Sequence, residues 1–428
     1  MSESHAIPVS FAESINWEAK KRSLFSALFF CAFLSLCIRG IYEVTIGKVL
    51  AYGAQVGLWS LVLFSSVALF RYRVTGALTI GILLTFLFGL SAMVSSVWTM
   101  DVAGFQNGLI ATAVNVYLLL LFVAGYGFQT EAFTARPIMV SMALAGALLP
   151  IFGLVQLLQI PVFELPGRSI LRPPSLTGSY LHFPLLCGIL CICLLEGAKA
   201  LRWWFLYFIS FLCFIGVLIS GGRSGTVVLL GTCGLFIIFE INKRSEATKL
   251  KFAAIALIGV LVSGGLFAAA YQFVPTLQRI SRLWDVQEGA NALRITIWTH
   301  IFDYWLHTNL WFGEFTGMIG NTTNNVGGND SFNEVSGNGL VAESGMLEQL
   351  INFGMIGFLS FYAVMLLTFR AIEKQCTFLR ALFVSALIQT AFYQSTEVLP
   401  YMAMLAFLPQ FSRSLLIAGG KRYSNHGL

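Results

Sequence analysis

The chain has 428 residues, of which 57% are hydrophobic and only 11% are charged, and its mean hydropathy is +0.79. Soluble domains carry about 25% charged residues, so the composition excludes a soluble globular enzyme. The apolar runs are continuous over about 20 residues, which is the length of a bilayer-spanning helix. Strands of a membrane barrel would instead alternate over about 10 residues. The sequence therefore predicts an all-α integral membrane protein.

Twelve apolar runs are predicted to be transmembrane helices. They lie at about 24–42, 49–70, 75–98, 105–127, 137–160, 180–196, 203–220, 225–241, 252–273, 346–369, 378–394 and 399–417. No convincing cleavage site follows the first run, so we expect it to be retained as a span. The predicted organisation is an N-terminal segment (1–22), spans one to nine (23–273), a large loop (274–345), spans ten to twelve (346–417) and a tail (418–428).

The distribution of Lys and Arg predicts the orientation of these spans. With twelve spans, 18 of the 26 basic residues fall on the side of the two termini, so the positive-inside rule places both termini in the cytoplasm. Two outer loops are long, at 161–179 and 274–345, and long loops on a compact bundle are usually functional. Within the second, residues 276–312 predict an interfacial helix with four Trp, and 317–340 form a Gly/Asn-rich loop.

Most basic residues on the outer side are arginines in the long loops or in the turn SGGRSG. They are Arg168, Arg172, Arg223, Arg279, Arg282 and Arg294. A guanidinium donates two parallel hydrogen bonds and keeps its charge, so this set predicts an anion site at the outer face. The alternative is pairing with lipid headgroups or with outer acids. Arg223 stands out, because a charge between two apolar spans is costly unless it faces a polar cavity.

The predicted interfacial helix carries two further groups of candidate residues. Arg294 and Trp298 are four residues apart and share a helical face, so they could hold a lipid-phosphate headgroup or simply reach the membrane interface. His300, Asp303 and His307 lie on a neighbouring face, where they could hold a metal or act as a base. Such a face is more often only the wet side of an amphipathic helix.

Two glutamates, Glu343 and Glu348, lie where the large loop returns to the membrane. A carboxylate near arginines stays ionised and can accept a proton from a sugar hydroxyl. The alternative role is capping of the following helix. No motif for a nucleotide, a dinucleotide or zinc is present, and the eight Cys lack metal-ligand spacing, so we predict no metal and no cofactor. Membrane lipids are expected partners and nucleic acid is not.

The combined layout resembles the bacterial O-antigen polymerase and O-antigen ligase superfamily. The features that carry the resemblance are twelve spans, a glycine-flanked Arg between spans seven and eight, a large outer loop with an Arg four residues before a Trp, and a final Gly-x-x-Gly helix. The resemblance implies a bundle like that of GT-C glycosyltransferases in the bacterial inner membrane. It also implies a periplasmic active site and undecaprenyl-pyrophosphate-linked glycans as substrates.

The family motifs match this sequence at several positions. Ser220–Gly225 resembles the family turn with Arg223 in the Arg position, Arg294 with Trp298 resembles the loop motif, and Gly354 and Gly357 fit the final glycines. The ligase pattern places His where Glu343 stands and Asn where Ser344 stands. This departure favours the polymerase branch. The polymerase pattern of Arg, ten residues and Gly is not cleanly present, since nine residues separate Arg168 from Gly178.

The resemblance implies a polysaccharide polymerase that joins lipid-linked repeat units. Glu343, Arg223 and Arg294 would be catalytic. The pyrophosphates and glycan would be bound by Arg168, Arg172, Arg279, Arg282, Trp298, His300 and Glu348. A chain-length-regulating co-polymerase is a further partner that this hypothesis allows. The alternatives are a ligase that transfers the glycan to lipid A–core, a transporter or flippase, and a structural subunit of a secretion complex.

Overall fold

The computed structural model describes residues 9–70, 75–98, 105–127, 133–160, 172–243, 248–249, 265, 278, 289–314, 344–396 and 398–420. Within these ranges the regular elements are all helical. They are α1 (Val9–Cys37), α2 (Arg39–Thr45), α3 (Lys48–Leu69), α4 (Gly76–Trp98), α5 (Phe105–Gly127), α6 (Ala135–Leu157), a 3-10 turn (Ser175–Thr177), α7 (His182–Leu201), α8 (Phe205–Ser220), α9 (Arg223–Lys243), α10 (Gly289–His307), α11 (Gly345–Ala371), α12 (Thr377–Thr390) and α13 (Leu399–Ala418).

Eight of the described helices are long and apolar enough to cross a membrane: α3, α4, α5, α6, α7, α9, α11 and α13. Helices α1 and α2 meet at a bend of 65° and add a ninth candidate if they count as one span. Helices α8 and α12 are apolar but have only 16 and 14 residues. The prediction of a polytopic, all-helical membrane protein is confirmed. Of the twelve predicted spans, the run at 252–273 lies outside the described residues except for residue 265.

Helix α7 lies at the centre of the bundle, where it packs against α6, α8, α9 and α13. Helices α4 and α5 pack along α11, and α12 packs along α9. Buried aromatic rings join α1, α3 and α13, with Phe29 lying 5.3 Å from both Trp59 and Phe407, measured between ring centroids. Phe64 and Phe86 are exposed, as expected for side chains that face lipid tails.

Ionisable residues lie at both ends of α7 and α9. His182 and Arg223 begin these helices, and we name this side of the bundle the arginine end. Near the other ends lie Glu196 and Glu240, and the Glu240 carboxylate accepts a hydrogen bond of 2.8 Å from the Thr377 hydroxyl at the start of α12. The Glu196 carboxylate accepts a hydrogen bond of 3.1 Å from the Phe378 amide of the same helix, so the far ends of α7 and α9 are both bonded to the start of α12.

Helix α11 is interrupted at Gly354, whose backbone has φ 63° and ψ −172°. The segment that follows α10 lies in this interruption and bonds to the backbone on both sides of it. The hydrogen bonds run from Met355 N to Leu310 O (2.9 Å), from Ile356 N to Trp311 O (3.1 Å) and from Glu314 N to Ile351 O (3.0 Å). These bonds satisfy backbone groups that the break removes from the helix, as irregular backbone inside a membrane protein requires. We name this contact the Gly354 latch.

Candidate functional site

Arg223 is the first residue of α9, and only 8% of it is exposed. Its Nη1 donates a hydrogen bond of 2.6 Å to Oδ1 of Asn291, in the first turn of α10. A charge-assisted hydrogen bond of this length fixes the direction of the guanidinium. Arg223 lies between two apolar helices, as the sequence predicts. It also contacts the helix of the large loop, which sequence reasoning missed.

The turn before Arg223 is built by glycines that leave no room for a side chain. Gly221 has φ 59°, a left-handed conformation that ends α8 and that glycine adopts without strain. A Cβ on Gly222 or on Gly225 would clash with Pro184 of α7. The start of α9 is consequently pressed against the start of α7, and Arg223 has a rigid backbone.

Arg294 lies one turn beyond Asn291 along α10. Its guanidinium carbon lies 5.3 Å from the ring centroid of Tyr393, in the segment between α12 and α13. Residues three apart on a helix share a face, so Asn291 and Arg294 face the same part of the bundle. Arg223, Asn291, Arg294 and Tyr393 thus form a connected group at the arginine end.

The remaining candidates on α10 separate into a packed face and an exposed face. Trp298 is half-buried and its ring lies 6.3 Å from that of Phe392, so it packs on the segment that holds Tyr393. His300 is exposed. Asp303 and His307 are also exposed and contact each other at 3.7 Å. The structure therefore brings Trp298 toward the arginine group and leaves His300 on the solvent side of the helix.

The start of α11 lies next to the same group. Ser344 caps this helix by accepting a hydrogen bond of 3.3 Å from Leu347 N, and it donates one of 2.8 Å to Ala391 O. The amide of Gly345 donates to the carbonyl of Tyr393 at 3.2 Å. Tyr393, whose ring contacts Arg294, is therefore also bonded to the beginning of α11.

Glu348 lies in the first turn of α11 and is 4% exposed. Its carboxylate accepts a hydrogen bond of 3.5 Å from the Thr396 hydroxyl. This location agrees equally with the two roles that the sequence left open, substrate binding and stabilisation of the helix start.

Four of the predicted site residues lie outside the described residues: Glu343, Arg168, Arg279 and Arg282. The neighbour of Glu343, Ser344, is described above. Arg172 is described as well, and its guanidinium carbon lies 4.1 Å from the ring centroid of Tyr180. Tyr180 lies two residues before the first residue of α7. Arg172 is therefore near the start of α7, whereas Arg223 and Arg294 are grouped around Asn291.

Sequence reasoning missed a salt bridge at the arginine end. Arg39 Nη2 lies 2.6 Å from Glu43 Oε1, and Arg39 Nη1 lies 3.4 Å from Nδ1 of His182. Only 13% and 7% of the Arg39 and Glu43 side chains are exposed. Arg39 and Glu43 are four residues apart, which is a recognisable helical pair. Nothing in the sequence indicates that His182 is their partner, because His182 begins an apolar span far away in the chain.

The short helix with Arg39 is held by a close contact between two backbones. A Cβ on Gly40 would lie 2.6 Å from the Gly178 amide nitrogen. The 3-10 turn before Gly178 is buried, and Ser175 in it has φ 52° and donates to Leu149 O at 2.6 Å. The described part of the loop 161–179 is therefore packed into the bundle instead of lying on its surface.

The arrangement concentrates guanidinium groups, one imidazole, two phenol rings and the carboxylates of Glu43 and Glu348 at one end of the bundle. Of these, guanidinium groups bind phosphate oxygens and aromatic rings stack against sugar rings, whereas a metal requires a cluster of acidic, Cys or His ligands. Among the described residues, no group of three or more His, Cys, Asp or Glu side chains could hold a metal ion. The guanidinium groups and phenol rings of the arginine end are suited to contacts with phosphate oxygens and sugar rings.

Comparison with known families gives one match. Residues 208–362 match the family model described as O-antigen ligase. This range includes Arg223, Asn291, Arg294 and Gly354, and the match confirms the resemblance to the O-antigen polymerase and ligase superfamily. It supports a membrane-embedded enzyme of the glycosyltransferase type that acts on lipid-linked glycans. No curated protein sequence matches the chain.

Proposed function

We propose, because residues 208–362 are similar to O-antigen ligases, that the protein polymerises undecaprenyl-pyrophosphate-linked oligosaccharide repeat units at the periplasmic face of the bacterial inner membrane. The observation that carries the proposal is the buried guanidinium of Arg223, oriented by Asn291 at the start of α9. A charge held in this way at the end of a membrane bundle suits a lipid-linked anion. In this orientation both chain termini are cytoplasmic.

The largest electrostatic demand of such a reaction is the pyrophosphate that leaves the donor glycan. Arg223 and Arg294 would neutralise the charge that develops on it, which is the role that fixed donors have in many active sites. Asn291 orients Arg223 without cancelling its charge, because an amide is neutral. The second pyrophosphate, on the acceptor, would be bound by the other loop arginines: Arg168, Arg172, Arg279 and Arg282.

In the proposed step, a hydroxyl oxygen of the acceptor repeat unit attacks the anomeric carbon of the donor glycan. The bond between that carbon and the pyrophosphate oxygen breaks, and undecaprenyl pyrophosphate leaves with the electron pair. The hydroxyl proton passes to the carboxylate of Glu343. This role is supported by the position of the next residue, Ser344, which is bonded beside the segment with Tyr393 and Arg294. Glu348 and Trp298 would contact the glycan.

The second candidate function is a ligase that transfers the glycan to lipid A–core. The description of the matching family as O-antigen ligase favours it. The polymerase is preferred because Glu343 replaces the His of the ligase pattern. The two reactions share the donor and the arginine site and differ in the acceptor.

The proposal is tested with purified protein in nanodiscs, supplied with the lipid-pyrophosphate-linked repeat unit of its host. A ladder of products on a gel that resolves single repeats is the expected result. Transfer that appears only after lipid A–core is added would establish the ligase instead. A folded protein that is silent with both acceptors would overturn both enzymatic functions and favour a transporter.

Matched arginine variants test the site itself. Arg223→Lys keeps the charge but loses the planar fork, so we expect kcat to fall at least about tenfold. Arg223→Ala loses both, so we expect kcat to fall about 100- to 1,000-fold. Arg202→Lys is the control, because Arg202 is exposed at the opposite end of α7. Equal activity of the Arg223 variants and the control would refute the role of Arg223. Glu343→Gln with full activity would refute the proposed base.

A further inference from the structure

The amide of Gln389, at the last turn of α12, is completely buried. Neither its Oε1 nor its Nε2 has a hydrogen-bond partner among the residues that the structure describes. Buried polar side chains are nearly always paired, because an unsatisfied group loses its hydration without compensation. An amide with two unsatisfied atoms therefore calls for an explanation, and a ligand is one.

The face of α12 that carries Gln389 is the face that packs on α9. Phe378 stacks on Phe236 of α9 with ring centroids 3.7 Å apart, and the Ser385 hydroxyl donates to Val228 O at 2.9 Å. Residues 378, 385 and 389 are spaced by seven and four, so they lie along one stripe of the helix. Gln389 thus faces α9, one turn beyond the Ser385 contact.

The two helices run in opposite directions, which fixes the level that Gln389 reaches. Ser385 is opposite Val228, so four residues further along α12 corresponds to four residues earlier in α9. That position is Ser224, the neighbour of Arg223. Four residues beyond Gln389 is Tyr393, which contacts Arg294. Gln389 therefore lies level with the start of α9, where Arg223 is, and one turn before the residue that contacts Arg294.

We propose that Gln389 binds a hydroxyl of the sugar attached to the pyrophosphate that Arg223 holds, an inference that rests on the proposed function. A sugar hydroxyl both donates and accepts hydrogen bonds, and an amide offers both a donor and an acceptor. A phosphate oxygen would satisfy Nε2 and leave Oε1 unpaired. Gln389 consequently distinguishes the glycan from the lipid pyrophosphate, whereas the arginines recognise the pyrophosphate alone.

The test compares Gln389→Met with the unaltered protein, because Met has a similar length and no hydrogen-bonding amide. Binding is measured in nanodiscs with two ligands: undecaprenyl pyrophosphate and the same lipid with one repeat unit attached. We expect at least about tenfold weaker binding of the glycosylated lipid, since one or both hydrogen bonds to the amide are lost, and unchanged binding of the bare lipid. The thermal midpoint without ligand should be equal or higher, since an unpaired buried amide has been removed.

A second pair of variants separates binding from packing. Ser385→Ala, on the same stripe, removes a bond to α9 and should affect both ligands equally. Gln389→Leu is the alternative if the Met variant does not fold. Equal loss of both ligands in a folded Gln389 variant, or no loss of either, would overturn the role of Gln389. If the unaltered protein shows no binding of the glycosylated lipid and no product, the proposed function itself fails.

Discussion

Replacement of Gly354 by Ala is expected to break the contact between α10 and α11. Gly354 has φ 63° and ψ −172°, a conformation that is nearly restricted to glycine. A Cβ at this position would clash with the backbone of residues 311–313, which lies in the interruption of α11. Neither the dihedral angles nor the neighbouring backbone can adjust while the Gly354 latch stays closed.

The cost follows from these two effects. The backbone conformation alone costs a non-glycine residue about 1–3 kcal/mol. If the segment withdraws to make room for the methyl group, three backbone hydrogen bonds are lost, each with a net value of about 0.5–1.5 kcal/mol. We therefore expect a loss of at least about 2 kcal/mol of stability. Activity should fall as well, because the same segment holds the end of the helix that carries Asn291 and Arg294.

The measurements are the thermal midpoint in detergent and the polymerisation assay, with Gly234→Ala as the control. Gly234 lies within α9 and has nothing within 4 Å of an added Cβ, so Ala there should be neutral or stabilising by up to about 1 kcal/mol. If Gly354→Ala behaves like the control in both measurements, the description of α11 as interrupted and filled by the 310–314 segment is refuted.

Two other features of the described residues give separate predictions. Glu43→Gln should destabilise the protein by about 3 kcal/mol, because Arg39 is left buried with its carboxylate partner removed. The double variant Arg39→Met with Glu43→Met should recover most of that loss in the thermal midpoint, and a double variant as unstable as the single one would contradict this. The pKa of Tyr304 is raised by burial and then by the charge of Glu314. The neutral phenol of Tyr304 therefore contributes to the stability of the folded protein below the pKa of an unfolded tyrosine. This contribution is lost as the pH rises through the pKa of Tyr304 in the folded protein. An ultraviolet difference titration against Tyr304→Phe should place this phenol above the ordinary tyrosine range, and Glu314→Gln should reduce the shift.

Hydrophobic runs were enough to predict the helices, because a bilayer imposes both the length and the apolar character of each span. The runs predicted at 137–160 and 346–369 appear as Ala135–Leu157 and Gly345–Ala371. The interruption at Gly354 was not predicted, because an apolar run has the same composition whether the helix is straight or broken. The family motif pointed to Gly354, and the structure supplies its physical reason, a left-handed backbone against a second chain segment.

The candidate site was predictable only in part, for a similar reason. Arg223 was visible because a charge between apolar spans is rare, and Arg294 because it precedes a Trp at helical spacing. Asn291, Gln389 and Tyr393 have no such signal, since neutral polar residues are common near helix ends. Asn291 and Tyr393 enter the candidate site through contacts with distant parts of the chain, since 68 residues separate Arg223 from Asn291 and 99 separate Arg294 from Tyr393, and those contacts depend on the packing of the bundle.

The described part of the large loop, helix α10 and the segment after it, is attached to the bundle at three places. Helix α10 is connected to the bundle at its start by the bond between Arg223 and Asn291, along its length by Arg294 and Tyr393, and beyond its end by the Gly354 latch. Three attachments along a helix of 19 residues fix both its position and its rotation. Arg294 is therefore held in register with α9, and such preorganisation is what the proposed stabilisation of a leaving pyrophosphate requires.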